Sequence, residues 1–138
     1  MKRAWNTIAH VVIGLWLGGL IALFIFVVTL FHHDHALGVQ AAPQLFQVFE
    51  IYQFFLAAVA IVSAVVCIRP IVTLLLIAAA VCAVYVHFSL TPRILELAHL
   101  GRTHTDEFGR IHGESMLVYM TDTILVFAAQ ILLTLKRK

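Results

Sequence analysis

Histidine and carboxylate side chains gather at the same ends of the long apolar segments of this sequence. Seven of its eight histidines fall at or just beyond those ends. Imidazole together with carboxylate suits zinc, copper, iron or nickel, so we expect a transition-metal site, for copper or zinc, built by several helices. The alternative is a polar loop with interfacial histidines. The candidate ligands are His32, His33, His35, Glu50, His87 and His112.

A stripe of polar residues runs into the last apolar segment. Its members are spaced by three, four and three residues, which places them on one face of a helix. They are His112, Ser115, Tyr119 and Asp122. By helical rise Asp122 lies about 15 Å from His112, near the bilayer centre. A carboxylate there costs roughly 2.5–3.5 kcal/mol. The last three residues therefore form a candidate path for a proton or cation, or else Asp122 is a neutral carboxyl bonded to a Ser or Thr of a neighbouring helix.

The elements that must position these groups are membrane helices. The chain is 62% hydrophobic and 12% charged, whereas soluble domains are about 45–50% apolar and 25% charged. A bilayer core needs roughly 20 apolar residues per helix, and four segments meet this, at about 7–31, 45–68, 71–90 and 115–135. We predict an all-α, four-transmembrane-helix bundle that forms a single integral membrane domain over residues 1–138. Arg69 and Pro70 make the turn between the second and third spans, and residues 91–114 form a loop.

Small residues at helical spacing are expected to pack one helix against another. In the second segment they continue a line that starts with two polar residues. This line is Glu50, Gln53, Ala57, Ala60, Ala64 and Cys67. In the first segment Gly14 and Gly18 form a small-xxx-small pair, with Ala22 one turn further on.

Basic residues near the span ends predict the orientation of the chain, because Lys and Arg accumulate on the cytoplasmic side. Six of the nine lie on the side of both termini and of the second-to-third turn, and three lie on the other side with most of the acidic residues. We therefore predict cytoplasmic termini in a bacterial inner membrane. The six are Lys2, Arg3, Arg69, Lys136, Arg137 and Lys138; the three are Arg93, Arg102 and Arg110.

The segment from Phe108 to Ser115, FGRIHGES, resembles the F-x-R-x-H-G-x-S element of the family of unknown function that includes transmembrane protein 205. The first span, with His10 and the run GLWLGG at residues 14–19, is similar to the H…W-x-G-G opening of that family, and Pro92 resembles its proline after span three. Val28-Thr29 stands where bacterial members often have Val-x-Pro. The resemblance implies a four-helix membrane protein without a settled activity. The positions carried over are His10, Trp16, Gly18, His112 and Ser115.

Three functions are compatible with these patterns. The first is the binding or transport of a transition metal. The second is a non-catalytic subunit of a larger membrane complex. The third is a b-type haem carrier with His112 and either His87 or His33 as axial ligands. No motif of nucleophilic, phosphate-binding or zinc-hydrolase chemistry occurs, so we expect no enzymatic activity. Lipid, a second copy or other membrane subunits are the expected partners, and nucleic acid is not.

Overall fold

A computed structural model describes residues 2–135, all in helices and short connections. The helices are α1 (Lys2–His33), α2 (His35–Val66), α3 (Pro70–Tyr85), α4 (Thr91–His99) and α5 (Asp106–Thr134), and a π-helical segment (Val86–Leu90) joins α3 to α4. Four stretches are long and apolar enough to cross a membrane: 3–33, 35–66, 70–99 and 106–134. For the described residues, the predicted all-α architecture with four helices long and apolar enough to span a membrane is confirmed. Lys136, Arg137 and Lys138, which contribute to the orientation prediction, lie outside the described residues.

The long helices form a square, antiparallel bundle. α1 packs against α2 and α5, and α3 packs against the same two helices. α1 is therefore diagonal to α3, and α2 is diagonal to α5. The start of α1, the α2–α3 turn and the end of α5 lie at one end, which we name the termini end. The α1–α2 and α4–α5 connections lie at the other, which we name the far end. Side chains of α2 and α5 that touch must meet on the bundle axis.

The helices extend well beyond the predicted spans at the far end. Asp34 caps α2 by accepting a bond of 3.1 Å from the Leu37 N–H, and Thr105 caps α5 by accepting one of 3.3 Å from the Phe108 N–H. The expectation of a loop over 91–114 was wrong, because only residues 100–105 connect α4 to α5. Hydropathy marks where a helix becomes polar, and the hydrogen-bonded backbone continues past that point.

Two helix ends share the same capping geometry. The connection after α2 contains Ile68 at φ 55°, and the connection after α4 contains Gly101 at φ 67°. In each case the N–H of the next residue, Arg69 or Arg102, bonds to the carbonyl five positions earlier, at 3.1 and 2.8 Å. These are Schellman motifs, which usually carry glycine in the left-handed position. Ile68 occupies that position with a β-branched side chain, so the α2–α3 turn is strained.

Alanine packing holds the bundle together towards the termini end. Ala57, Ala60 and Ala64 of α2 are buried, as are Glu50 and Gln53 on the same face. The predicted line of small and polar residues is therefore the inward face of α2. Alanine lets neighbouring helices approach closely, and in lipid such contacts replace the hydrophobic effect as the driving force.

The glycine pair of α1 does not serve this purpose within the chain. A Cβ added at Gly14 or Gly18 would meet nothing within 4 Å. The close approaches occur instead at Gly19, where a Cβ would lie 2.7 Å from the Phe49 ring, and at Gly38, where it would lie 2.8 Å from the Phe31 ring. Both bring α1 and α2 together, and they fix the register of the two helices.

Candidate functional site

The polar centre of the bundle is the carboxylate of Glu50, which is fully buried. Its Oε2 lies 2.8 Å from His87 Nδ1. Its Oε1 accepts hydrogen bonds of 2.6 Å from the Thr91 hydroxyl and 2.6 Å from the Tyr119 hydroxyl. One acidic side chain of α2 thus holds groups from the π-helical segment, α4 and α5. We name these four residues the Glu50 cluster.

The π-helical segment positions two members of this cluster. Proline has no N–H, and its ring clashes with the carbonyl four residues earlier, so Pro92 is incompatible with a regular α-helix through residue 88. The backbone widens here, and the Thr91 N–H bonds to the Val86 carbonyl, five residues back. Such π turns are frequent at functional sites. His87 and Thr91 emerge from this turn towards the same carboxylate.

Aromatic rings surround the cluster. His87 makes edge contacts with Phe54 and Phe88, with ring centroids 5.1 and 4.8 Å apart. Tyr119 lies against Phe46 at 5.0 Å. The carboxylate of Glu50 is therefore shielded, and its hydrogen-bond partners are two hydroxyls and one imidazole.

A second buried carboxyl lies one helical turn further towards the termini end. Asp122 is 1% exposed, and the Gln53 side-chain amide donates to its Oδ2. Gln53 was not expected as this partner. Among the described residues the other oxygen of each group, Asp122 Oδ1 and Gln53 Oε1, has no hydrogen-bond partner, and neither has Trp16 Nε1. Trp16 lies level with Gln53, since each is about one turn from the Gly19–Phe49 contact.

Among residues 3–135, whose side chains the structure describes, neither buried carboxyl has a Lys or Arg partner. The guanidinium groups of Arg93 and Arg102 lie 3.4 Å from the exposed Glu107. An isolated carboxylate in a low-dielectric interior is costly unless a proton or a cation neutralises it. The axis therefore holds two acidic groups and one imidazole, an arrangement that favours the binding of positive charge.

The six candidate metal ligands are only partly assembled. Glu50 and His87 are in contact, as just described. His32 and His33 lie in the last turn of α1 with exposed side chains. Among the described residues no three His, Cys, Asp or Glu side chains come close enough to hold a metal ion. Glu50 and His87 are therefore the part of the predicted ligand set that the structure brings into contact.

The remaining two candidates, His35 and His112, line a cavity at the far end. His35 packs on Phe31 at 5.6 Å, and His112 stacks on Phe108 at 5.8 Å. His112 is exposed, whereas the next members of its stripe, Ser115 and Asp122, are buried. The stripe therefore faces the interior of the bundle from Ser115 towards the termini end, whereas His112 lies on the surface.

The same cavity reaches from the far end down to the Glu50 cluster. Its volume is about 430 Å³, and its walls are mostly apolar and aromatic. Thr91, Ser115 and Tyr119 line it, which places the predicted polar path partly on its surface. Thr91 was missed by sequence reasoning. The sequence signal that could have identified Thr91 is its position directly before Pro92, where a regular α-helix is disfavoured.

The chain belongs to a family that is defined by a domain of unknown function, DUF4149, whose sequence model matches residues 11–103. This match includes the spans that carry Glu50, His87 and Thr91. It ends before α5, so Tyr119 and Asp122 lie outside it. No curated protein and no solved structure matches the chain.

Proposed function

We propose that the protein binds a cation at Glu50 and transfers it along the bundle axis to Asp122. The observation that supports this is the burial of two carboxyl groups, 0% and 1% exposed, without a Lys or Arg partner among the described residues. A proton or a metal ion would neutralise them. Intramembrane acidic residues on a bundle axis are typical of ion pathways.

In its more specific form, the proposal is that the transported cation is a transition-metal ion, either copper or zinc. Glu50 and His87 would supply one carboxylate and one imidazole, which are ligands that these ions accept. The other candidate histidines at the far end would contribute to its capture. A proton is the simpler cargo, because the hydrogen-bonded Glu50 cluster needs no additional ligand to carry it.

Asp122→Asn tests the path. The amide keeps the size of the side chain and the contact with Gln53 but carries no negative charge and takes up no proton. In liposomes that contain the purified protein, we expect uptake of zinc, copper or protons to fall to the level of empty vesicles. Asp106→Asn makes the same substitution in an exposed first turn of α5 and should leave uptake unchanged. Equal uptake by the two variants would remove Asp122 from the mechanism.

Elemental analysis of untagged protein, purified in mild detergent, separates the possible cargos. Near-stoichiometric copper or zinc supports the metal form. Iron together with a haem absorption spectrum would support the haem alternative. A metal-free protein that also moves no protons would contradict the proposal and favour an accessory subunit of a larger complex.

We also propose that both termini are cytoplasmic in a bacterial inner membrane. Arg3 and Arg69 line one recess at the termini end, and these two belong to the basic set that predicts this side. The FGRIHGES segment supports a further relation to the family that includes transmembrane protein 205. This segment lies outside the matched residues 11–103, so it is an independent indication.

A second copy of the chain is the partner that we propose. Gly14 and Gly18 leave open space beside α1, and such small-xxx-small pairs support close helix pairing in lipid. Chemical cross-linking in membranes would show a dimer, and Gly18→Leu should reduce it. A monomer in both cases would contradict this assignment.

A further inference from the structure

The far-end cavity has the size and the lining of a ligand site. A volume of about 430 Å³ falls within the range of about 300–1,000 Å³ that is typical of small-molecule pockets. Four phenylalanines contribute to its walls, and Tyr119 lies at its deep end. The four are Phe24, Phe31, Phe46 and Phe108. Such walls favour a ligand with a large apolar surface.

The deep end of the cavity presents acceptors to a ligand. Thr91 and Tyr119 both line it, and both direct their hydroxyl protons to Glu50 Oε1. Their remaining lone pairs can only accept. The polar groups at this depth therefore suit a positively charged group or a hydrogen-bond donor.

Charge and aromatic lining point to the same class of ligand. The buried Glu50 carboxylate lies directly behind the two hydroxyls, and aromatic faces attract cations by about 2 kcal/mol or more where water is excluded. The histidines His35 and His112 line the outer part of the cavity, and His112 is about 10 Å along α5 from Tyr119 by helical rise. Neither lies at the deep end, and His87, which contacts the other oxygen of Glu50, does not line the cavity.

We propose that this cavity binds a lipophilic organic cation, whose charged centre sits above Thr91 and Tyr119. This deepens the proposed function, since it depends on Glu50 as the cation-binding group, and it names an organic substrate class. The ligand would enter from the bilayer. A second cavity of about 320 Å³ shares Phe24, Phe46, Met116 and Tyr119 with the first and continues between α1 and α5 to the exposed Ile124.

Two ions of matching shape and opposite charge test the proposal. Equilibrium dialysis of the detergent-solubilised protein against tetraphenylphosphonium should show saturable binding of about one ion per chain. Tetraphenylborate, the anionic counterpart, should remain at the level of protein-free micelles. Glu50→Gln should reduce the affinity for the cation roughly tenfold, because the charge behind the hydroxyls is lost.

A pair of tryptophan variants locates the binding. Val28 and Val11 are 52% and 55% exposed on α1, and of these two only Val28 lines the cavity. Val28→Trp should obstruct the cavity and weaken cation binding roughly tenfold, while Val11→Trp should bind like the wild type. Equal binding of the two ions, or equal binding by the two variants, would overturn the proposal.

The same measurements separate this inference from the proposed function. Loss of ion uptake in Asp122→Asn without any binding of tetraphenylphosphonium would retain the axial path and reject the organic substrate. Cation binding that Val28→Trp weakens, together with normal uptake by Asp122→Asn, would retain the cavity as a cation site and reject the path.

Discussion

The two ends of the bundle are built on different principles. Towards the termini end, α3 packs against α2 and α5 through small and branched apolar side chains, among them Ala60, Leu76 and Ala129, all 0% exposed. Towards the far end the axis carries Glu50 and Gln53, and a cavity lies beside it. The difference shows that close packing holds the helices at one end, while the other end keeps buried polar groups and an open cavity.

The largest effect is expected from a cavity made in the packed end. Leu76→Ala should destabilise the protein by about 2–5 kcal/mol, because the removed methyl groups leave a void that closely packed helices cannot fill. Leu74→Ala removes the same atoms from a side chain that is 66% exposed and should change the stability little. Unfolding by sodium dodecyl sulfate in mixed micelles measures both. Similar losses of stability in the two variants would show that buried packing at this end contributes no more than an exposed side chain does.

A smaller loss of stability than that of Leu76→Ala is expected from a substitution in the polar end. Glu50→Leu leaves the Thr91 and Tyr119 hydroxyls and His87 without their acceptor, and each unsatisfied donor costs about 1–3 kcal/mol. Some of these donors will turn towards the adjoining cavity, so we expect a net loss of about 2 kcal/mol. Glu50→Gln keeps an acceptor oxygen and should lose less. The same unfolding assay compares the two, and a leucine variant as stable as the glutamine variant would contradict the role of the cluster in holding α4 and α5.

The smallest effects concern the two Schellman turns. Ile68→Gly should stabilise the turn at the termini end by about 0.5–1 kcal/mol, since glycine removes left-handed strain at some cost in chain entropy. Gly101→Ala should destabilise its counterpart by about 1 kcal/mol. A Cβ at Gly101 meets nothing within 4 Å, so the cost is one of backbone conformation. Thermal unfolding followed by circular dichroism resolves the opposite signs, and two shifts of the same sign would refute this interpretation.

Much of this architecture follows from the sequence, because each helix carries its own signal. The apolar segments predict four spans, and the three- and four-residue spacing along α2 predicts its buried face. Glu50, His87 and Asp122 attract attention as polar residues in apolar surroundings. Such features depend on one helix at a time, and composition and periodicity report them directly.

The contacts between helices could not be predicted in the same way. The bond between Gln53 and Asp122 crosses the diagonal of the bundle, and its formation depends on how each helix is rotated about its axis. Residues 35–44 and 91–99 contain histidines, glutamines and prolines, so they resemble loops although they are helical. The metal site expected from six side chains depended on convergence at the far end, where the helices carry their histidines on different faces.

The π-helical segment has a consequence for the comparison of related sequences. A π turn contains about one residue more than an α turn, so Val86–Leu90 behaves as a single-residue insertion in an otherwise continuous helix. A family member with one residue fewer between Tyr85 and Pro92 would align with a gap at this point. Such a relative would lack the wide turn, so its proline would kink the third span instead, and it would have to hold the counterpart of Glu50 with side chains from other positions.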